Sequence, residues 1–179
     1  MIDNMDTLIM LNDKSIKAIE KRGIIIKSLK EKNIGIKEIK GLLNEIDEKK
    51  SAIIFEAMEA VTNSDAHIAD IEWQHLAVEN ILSVSNRIKR EASRIVGNIA
   101  HKFPNDLEKA IEKLLLNSKD PGTVVRWSSA YALAKIIVIP QYANGELFDR
   151  LTEICNHEEE SGVKNQYVKA LKKAAKVGL

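Results

Sequence analysis

Apolar positions along this chain recur at intervals of three and four residues, the spacing of a helix with one buried face. Ile16, Ile19, Gly23, Ile26 and Leu29 fall on one such face, with Asp13 placed to cap the segment. Further helices are expected over 36–46, 51–61, 68–82, 87–103, 106–116, 125–136, 146–157 and 163–176. The breaks between them carry turn chemistry: Asn33 with Gly35, TNSDAH at 62–67, Pro104 with Asn105, Asp120-Pro121-Gly122, and Gln141 to Gly145. Asn105 or Asp106 is the expected cap of the helix at 106–116. Residues 1–12 show no clear period and are expected as a loose end or a short helix.

The helices come in pairs with short links, and the second members superimpose. KREASRIVGNIA (89–100), VRWSSAYALAKI (125–136) and VKNQYVKALKKA (163–174) place Arg90, Arg126 and Lys164 together, and likewise Gly97, Leu133 and Leu171. KSAIIFEAMEAV (50–61) matches less closely. Repeated two-helix units at a spacing of 36 to 40 residues are the mark of a solenoid. Each unit lacks a complete core, and its neighbour supplies the rest. Ala130, Ala132 and Ala134 allow close helix approach, while Leu133 and Ile136 fill the seam. The rival architecture is an ordinary helical bundle.

Val125, Arg126, Ser129, Ala132, Leu133 and Ile136 together resemble the second helix of a HEAT or HEAT-like repeat. The resemblance implies an all-α chain, an alpha-alpha superhelix (right-handed alpha solenoid) of about four HEAT-like hairpins. The expected repeats are 36–62, 67–103, 105–139 and 145–177 within one domain over 1–179, with an extra N-terminal helix at 13–31. It also implies that the second helices line the concave side.

Composition agrees with a helical protein. The chain has 179 residues, 30% of them charged and 4% aromatic, enough for one sizeable core. Its formal net charge of +1 argues neither for nor against a polyanionic partner, so the distribution of charge matters more. Residues 68–82 carry Asp70, Glu72 and Glu79 without a base, and 146–160 carry six acids beside Arg150. The second helices are the reverse: Arg87, Lys89, Arg90, Arg94 and Lys102 accompany Glu91, and five lysines with no acid follow residue 160. On a concave side these would form a basic stripe, with Arg90, Arg94, Arg126, Lys135, Lys164 and Lys169 as candidate contacts. Trp127 and Tyr131, four apart, add apolar anchors. The expected partner is an acidic protein or peptide. A nucleic-acid backbone is the alternative. Lysines late in the last helix also complement its dipole.

Little points to chemistry. His67, His75, His101 and His157 fall into no metal-ligand spacing, and no cofactor-binding motif occurs. Cys155 is the single cysteine, so no intrachain disulfide forms; it is expected in a helix seam, and a cytoplasmic location fits. The opening MIDNMDTLIM lacks the basic region of a secretory signal, and the run IIVI is far too short to span a membrane. Asp70 and Glu72 cannot share a helix face. Glu56 and Glu59 can, but read as a solvent-facing pair, and Glu158 to Glu160 read as a polar loop. HEAT-like folds also include base glycosylases and bilin lyases, yet nothing beyond the repeat points to either. The expectation is a binding or scaffold module with no catalytic residue, metal or cofactor.

Overall fold

The structure is a computed structural model that describes residues 4–177. Its helices, in chain order, are α1 (Asn4–Asn12), α2 (Ala18–Lys30), α3 (Ile36–Leu43), α4 (Glu48–Ser64), α5 (Ile71–Asn80), α6 (Asn86–Ile99), α7 (Glu108–Asn117), α8 (Thr123–Ile136), α9 (Glu146–His157) and α10 (Ser161–Val177). Single 3₁₀ turns fill several links, and no strand occurs among the described residues. The helix starts follow local chemistry. The Asp47 carboxylate accepts the Lys50 N–H ahead of α4, and that of Asp70 accepts the N–H groups of Glu72 and Trp73 ahead of α5. Glu20 and Glu38 reach back to the N–H of Lys17 and Gly35, satisfying donors that an isolated helix end leaves free.

The even-numbered helices form one layer in the order α2, α4, α6, α8, α10, each packed firmly on the next. The odd-numbered helices form a second, looser layer in which α1 touches α3, α3 touches α5 and α5 touches α7. This is a stack of hairpins, an alpha solenoid, and the bundle alternative falls away. Residues 89–100, 125–136 and 163–174 lie on successive rungs. Polar contacts between rungs keep the same period. Gln74 donates to the Asp106 carbonyl 32 residues on, Lys113 to that of Val78 at 35, Asn117 to that of Ile81 at 36, and the Tyr142 hydroxyl to that of Pro104 at 38.

Close packing of the second helices rests on small residues. A Cβ added at Gly97 would lie 2.9 Å from the Cα of Ala132, so α6 and α8 meet nearly backbone to backbone. Ser93, Ser128, Ser129, Ala92, Ala130 and Ala132 are all buried in the same layer. The Ser93 and Ser128 hydroxyls donate to carbonyls one turn back in their own helices, Lys89 and Val124, which lets polar side chains sit in a dry seam. The closely packed row of second helices is the inner layer of the stack, and the looser row of first helices the outer one.

The N-terminal part departs from the sequence reading in two ways. The helix begins at Ala18, and the Asp13 carboxylate instead accepts the N–H and hydroxyl of Ser15 in a local turn. Its buried face is Ile25, Ser28 and Leu29 with Lys21, whose ammonium donates to the Leu11 carbonyl. Of the stripe read from sequence, Leu29 is buried and Ile26 packs partly on the core, while Ile19 is turned outward, 75% exposed. The period is right but the face is partly rotated, because α2 has a neighbour in its own layer on one side only, α4. Farther on, Pro104–Asp106 form a 3₁₀ turn and Leu107 occupies the position before α7, so neither Asn105 nor Asp106 caps it.

Candidate functional site

On the inner side, α4 and α6 present a ladder of charge. The Arg87 guanidinium lies 2.7 Å from a Glu56 carboxylate oxygen, and that of Arg90 lies 3.7 Å from the same oxygen. Arg90 Nε also donates to Glu91 at 2.6 Å. Arg94 bridges Glu91 at 3.2 Å and Glu59 at 2.7 Å. Glu59 and Glu91 are only 4% and 2% exposed, so these are buried carboxylates held by arginines. Burial pushes the Glu59 carboxyl above its ordinary range, and the Arg94 charge only partly opposes this. The reading of Glu56 and Glu59 as a solvent-facing pair is therefore corrected. Both point into the layer because the arginines of the next rung sit opposite them.

The aromatic pair adjoins this ladder. The Trp127 and Tyr131 rings stack with centroids 5.6 Å apart and planes at 18°. Arg94 lies 6.0 Å and the Lys135 ammonium 5.4 Å from the Tyr131 ring centre, both within cation–π range. The Tyr131 hydroxyl donates to the Asn98 side-chain oxygen at 2.6 Å, and the Asn98 amide donates to Thr62 at 3.1 Å. One hydrogen-bonded chain thus crosses α8, α6 and α4 and fixes the ring plane. Burial raises the Tyr131 phenol above its usual range, so it remains a donor.

Arg126 lies elsewhere. Its fork grips Glu158 with Nε at 3.0 Å and Nη2 at 3.2 Å, while Nη1 donates to the carbonyls of Asp120 and Pro121. Lys164 donates to the Glu158 carbonyl, and Lys89 pairs with Asp120 at 2.8 Å. Arg126 therefore staples the α7–α8 turn to the α9–α10 turn, and Glu158 is a buried partner in that staple. Burial alone would raise the Glu158 carboxyl. Arg126 and the N–H groups of Glu160 and Glu159 outweigh it and hold the carboxyl below its ordinary range.

The structure thus divides the eight candidates. Arg90, Arg94, Trp127, Tyr131 and Lys135 gather on the inner side of α6 and α8, with both arginines already engaged by carboxylates. Arg126 and Lys164 belong to the turn staple. Lys169 is exposed on α10. Glu91 and Asn98 carry as much of the site as any of these. Their only signal in sequence is their place on a second helix, one rung from Glu59 and Thr62. Among the described residues no cluster of His, Cys, Asp or Glu could hold a metal. Cys155 is buried, its sulfur facing the Lys164 carbonyl, and the His157 ring nitrogen bonds the Glu153 carbonyl, so the two form no catalytic pair.

No family model matches the chain, and no curated protein matches it. Among solved structures it resembles a chain of the complex of CpcE and CpcF of phycocyanin lyase from Nostoc sp. PCC7120. The TM-score is 0.66 at 21% identity, covering 93% of this chain and 96% of that one. An engineered protein is also similar, with TM-score 0.49 and 15% identity over 99% and 98% of the two chains. The fold is a HEAT-like alpha solenoid. The likeness to a chain of a lyase complex overturns the expectation of a non-enzyme drawn from the absence of a catalytic motif, since the same fold occurs in an enzyme complex.

Proposed function

We propose that the chain is a partner-binding subunit that docks another protein on the inner side of its second helices, centred on Trp127 and Tyr131. The observation that carries this reading is the stacked pair itself: two large aromatics, neither fully buried, with their geometry set beforehand by the Asn98–Thr62 chain. A rigid aromatic anchor loses little entropy on contact and is the residue type on which binding energy concentrates. Lys135 and Lys169 are exposed, and neither is ion-paired among the described residues, so the partner segment they favour is acidic. A nucleic-acid backbone is less well served, since its phosphates would have to displace carboxylates from Arg90, Arg94 and Arg126.

The likeness to a chain of the CpcE–CpcF complex favours a related reading, in which this chain works beside a second chain in a lyase-type enzyme. Co-expression with a candidate second chain and mass spectrometry of the proteins it meets would reveal such activity as a covalent mass change.

The binding reading is tested by affinity capture with wild type, Trp127→Ala, Lys135→Glu and Tyr131→Phe. A specific protein retained by wild type and by Tyr131→Phe should be weakened at least tenfold by Trp127→Ala and by Lys135→Glu. Retention unchanged by both of the last two variants would place the contact elsewhere.

A further inference from the structure

The looser layer opens into a cleft that runs to the α7–α8 and α9–α10 turns. Between α7 and α9 lie a cavity of about 710 Å³ and a smaller one of about 200 Å³, and both are lined by Leu115 and Arg150. They form one trough along the two helices, which at about 1.5 Å per residue is roughly 15–18 Å long. Its floor is apolar, with Ile111, Leu115 and Leu147 toward one end and Leu115 and Ile154 toward the other. Leu116 stands on its edge, 61% exposed, on a helix where Ala110, Leu114 and Leu115 are buried.

The rims carry an excess of negative charge. The larger cavity is lined by five carboxylates against three cations. Arg126 is held by Glu158, Asp120 pairs with Lys89 and Arg150 reaches Glu146, which leaves Glu112, Glu153 and Glu159 against Lys119. Glu112 on α7 and Glu153 on α9 face the trough from its two walls with no cation paired to them among the described residues, and Glu108 extends the acidic rim along the smaller cavity. An acidic partner would meet repulsion along both edges. A segment with lysines or arginines flanking an apolar stripe would satisfy both edges and floor at once.

We propose that the α7–α9 trough is a docking site for a basic amphipathic helix of a partner protein, seated with its apolar stripe on Ile111, Leu115 and Ile154 and its cations toward Glu112 and Glu153. Two helix walls and an apolar floor are the geometry of helix-in-groove recognition, in which residues at i, i+3 and i+4 enter the groove. This site is separate from the inner-side anchor at Trp127. Its charge has the opposite sign, so the two surfaces select different segments.

The test uses the full chain, isotope-labelled for NMR, and two synthetic peptides. One alternates leucine and lysine in helical register; the other has glutamate in place of every lysine. The lysine peptide should produce saturable shifts in amides of 108–119 and 146–157, and the glutamate peptide should produce none. The double variant Leu116→Lys with Glu153→Lys should weaken the lysine peptide more than tenfold at an unchanged melting temperature, since both residues are exposed. Equal response to the two peptides, shifts centred outside α7 and α9, or affinity unaffected by the double variant would overturn the proposal.

Discussion

The two layers differ in composition, acidic first helices against basic second helices rich in small residues, and they solve different problems. In the second-helix layer α6 and α8 approach until Gly97 meets the Ala132 backbone, serines bond their own carbonyls, and arginines are matched to buried glutamates across rungs. In the first-helix layer neighbours touch lightly, and between α7 and α9 they part into an acid-rimmed trough. The difference teaches that packing distance sorts the surfaces: small residues close one layer, and the other stays apart. Where the stack is compressed, charge has to be neutralised and side chains fixed. Where it is splayed, charge stays free and apolar floor is left open.

The sharpest way to break the contrast is to wedge the tight layer. Gly97→Val should destabilise by about 3 kcal/mol or more, since a Cβ there has no room against backbone and overpacking typically costs 1–3 kcal/mol even where neighbours yield. For a chain of this size the melting temperature should fall by roughly 10 °C in a thermal scan.

Next is the turn staple. Arg126→Ala strands the buried Glu158 and should cost about 2–3 kcal/mol in chemical denaturation at neutral pH. Asp120 is pushed up by burial, but its bonds with Lys89 and the Gly122 N–H bring it net below its ordinary range, as Arg126 does for Glu158. For carboxyls with depressed folded pKa values, stability is complete above the unfolded pKa and lost as pH falls through the folded one. The gap between wild type and Arg126→Ala should therefore be full above about pH 5 and close below about pH 4. Glu59, raised by burial, works in the opposite direction: protonation on acidification favours the fold.

Tyr131→Phe removes one hydrogen bond to Asn98 while keeping the ring. It should cost about 1 kcal/mol, measured by the same denaturation. Leu116→Lys, on the splayed layer, should shift stability by no more than about 0.5 kcal/mol. A large loss there would mean that the trough is part of the core.

The repeat was legible because stacking needs the same small and bulky residues at each rung. Gly97, Ala132 and Leu133 are where the superimposed segments place them. The aromatic pair was legible for a related reason, since a four-residue spacing on a helix guarantees contact. The charge pattern misled. Counting cations along α6 showed a stripe, but the carboxylates that answer it come from Glu59 on the previous rung and from Glu91 within the stripe itself. Arg126 sits at the same repeat position as Arg90 and meets a glutamate 32 residues away, across a turn that reads as mere polar loop. Pairing between rungs depends on side-chain reach across the stack, which a one-dimensional pattern does not carry. The rotated face of α2 has the same origin: periodicity gives a stripe, and only the neighbours decide which stripe is covered.

Amide hydrogen exchange on the whole chain tests the central claim most directly, namely that the second helices form a rigid spine on which the outer layer is hung. The central amides of α4, α6 and α8 should exchange only through global unfolding, and those of α9 at least tenfold faster through local opening. Equal protection in the two layers, or α9 slower than α8, would contradict it.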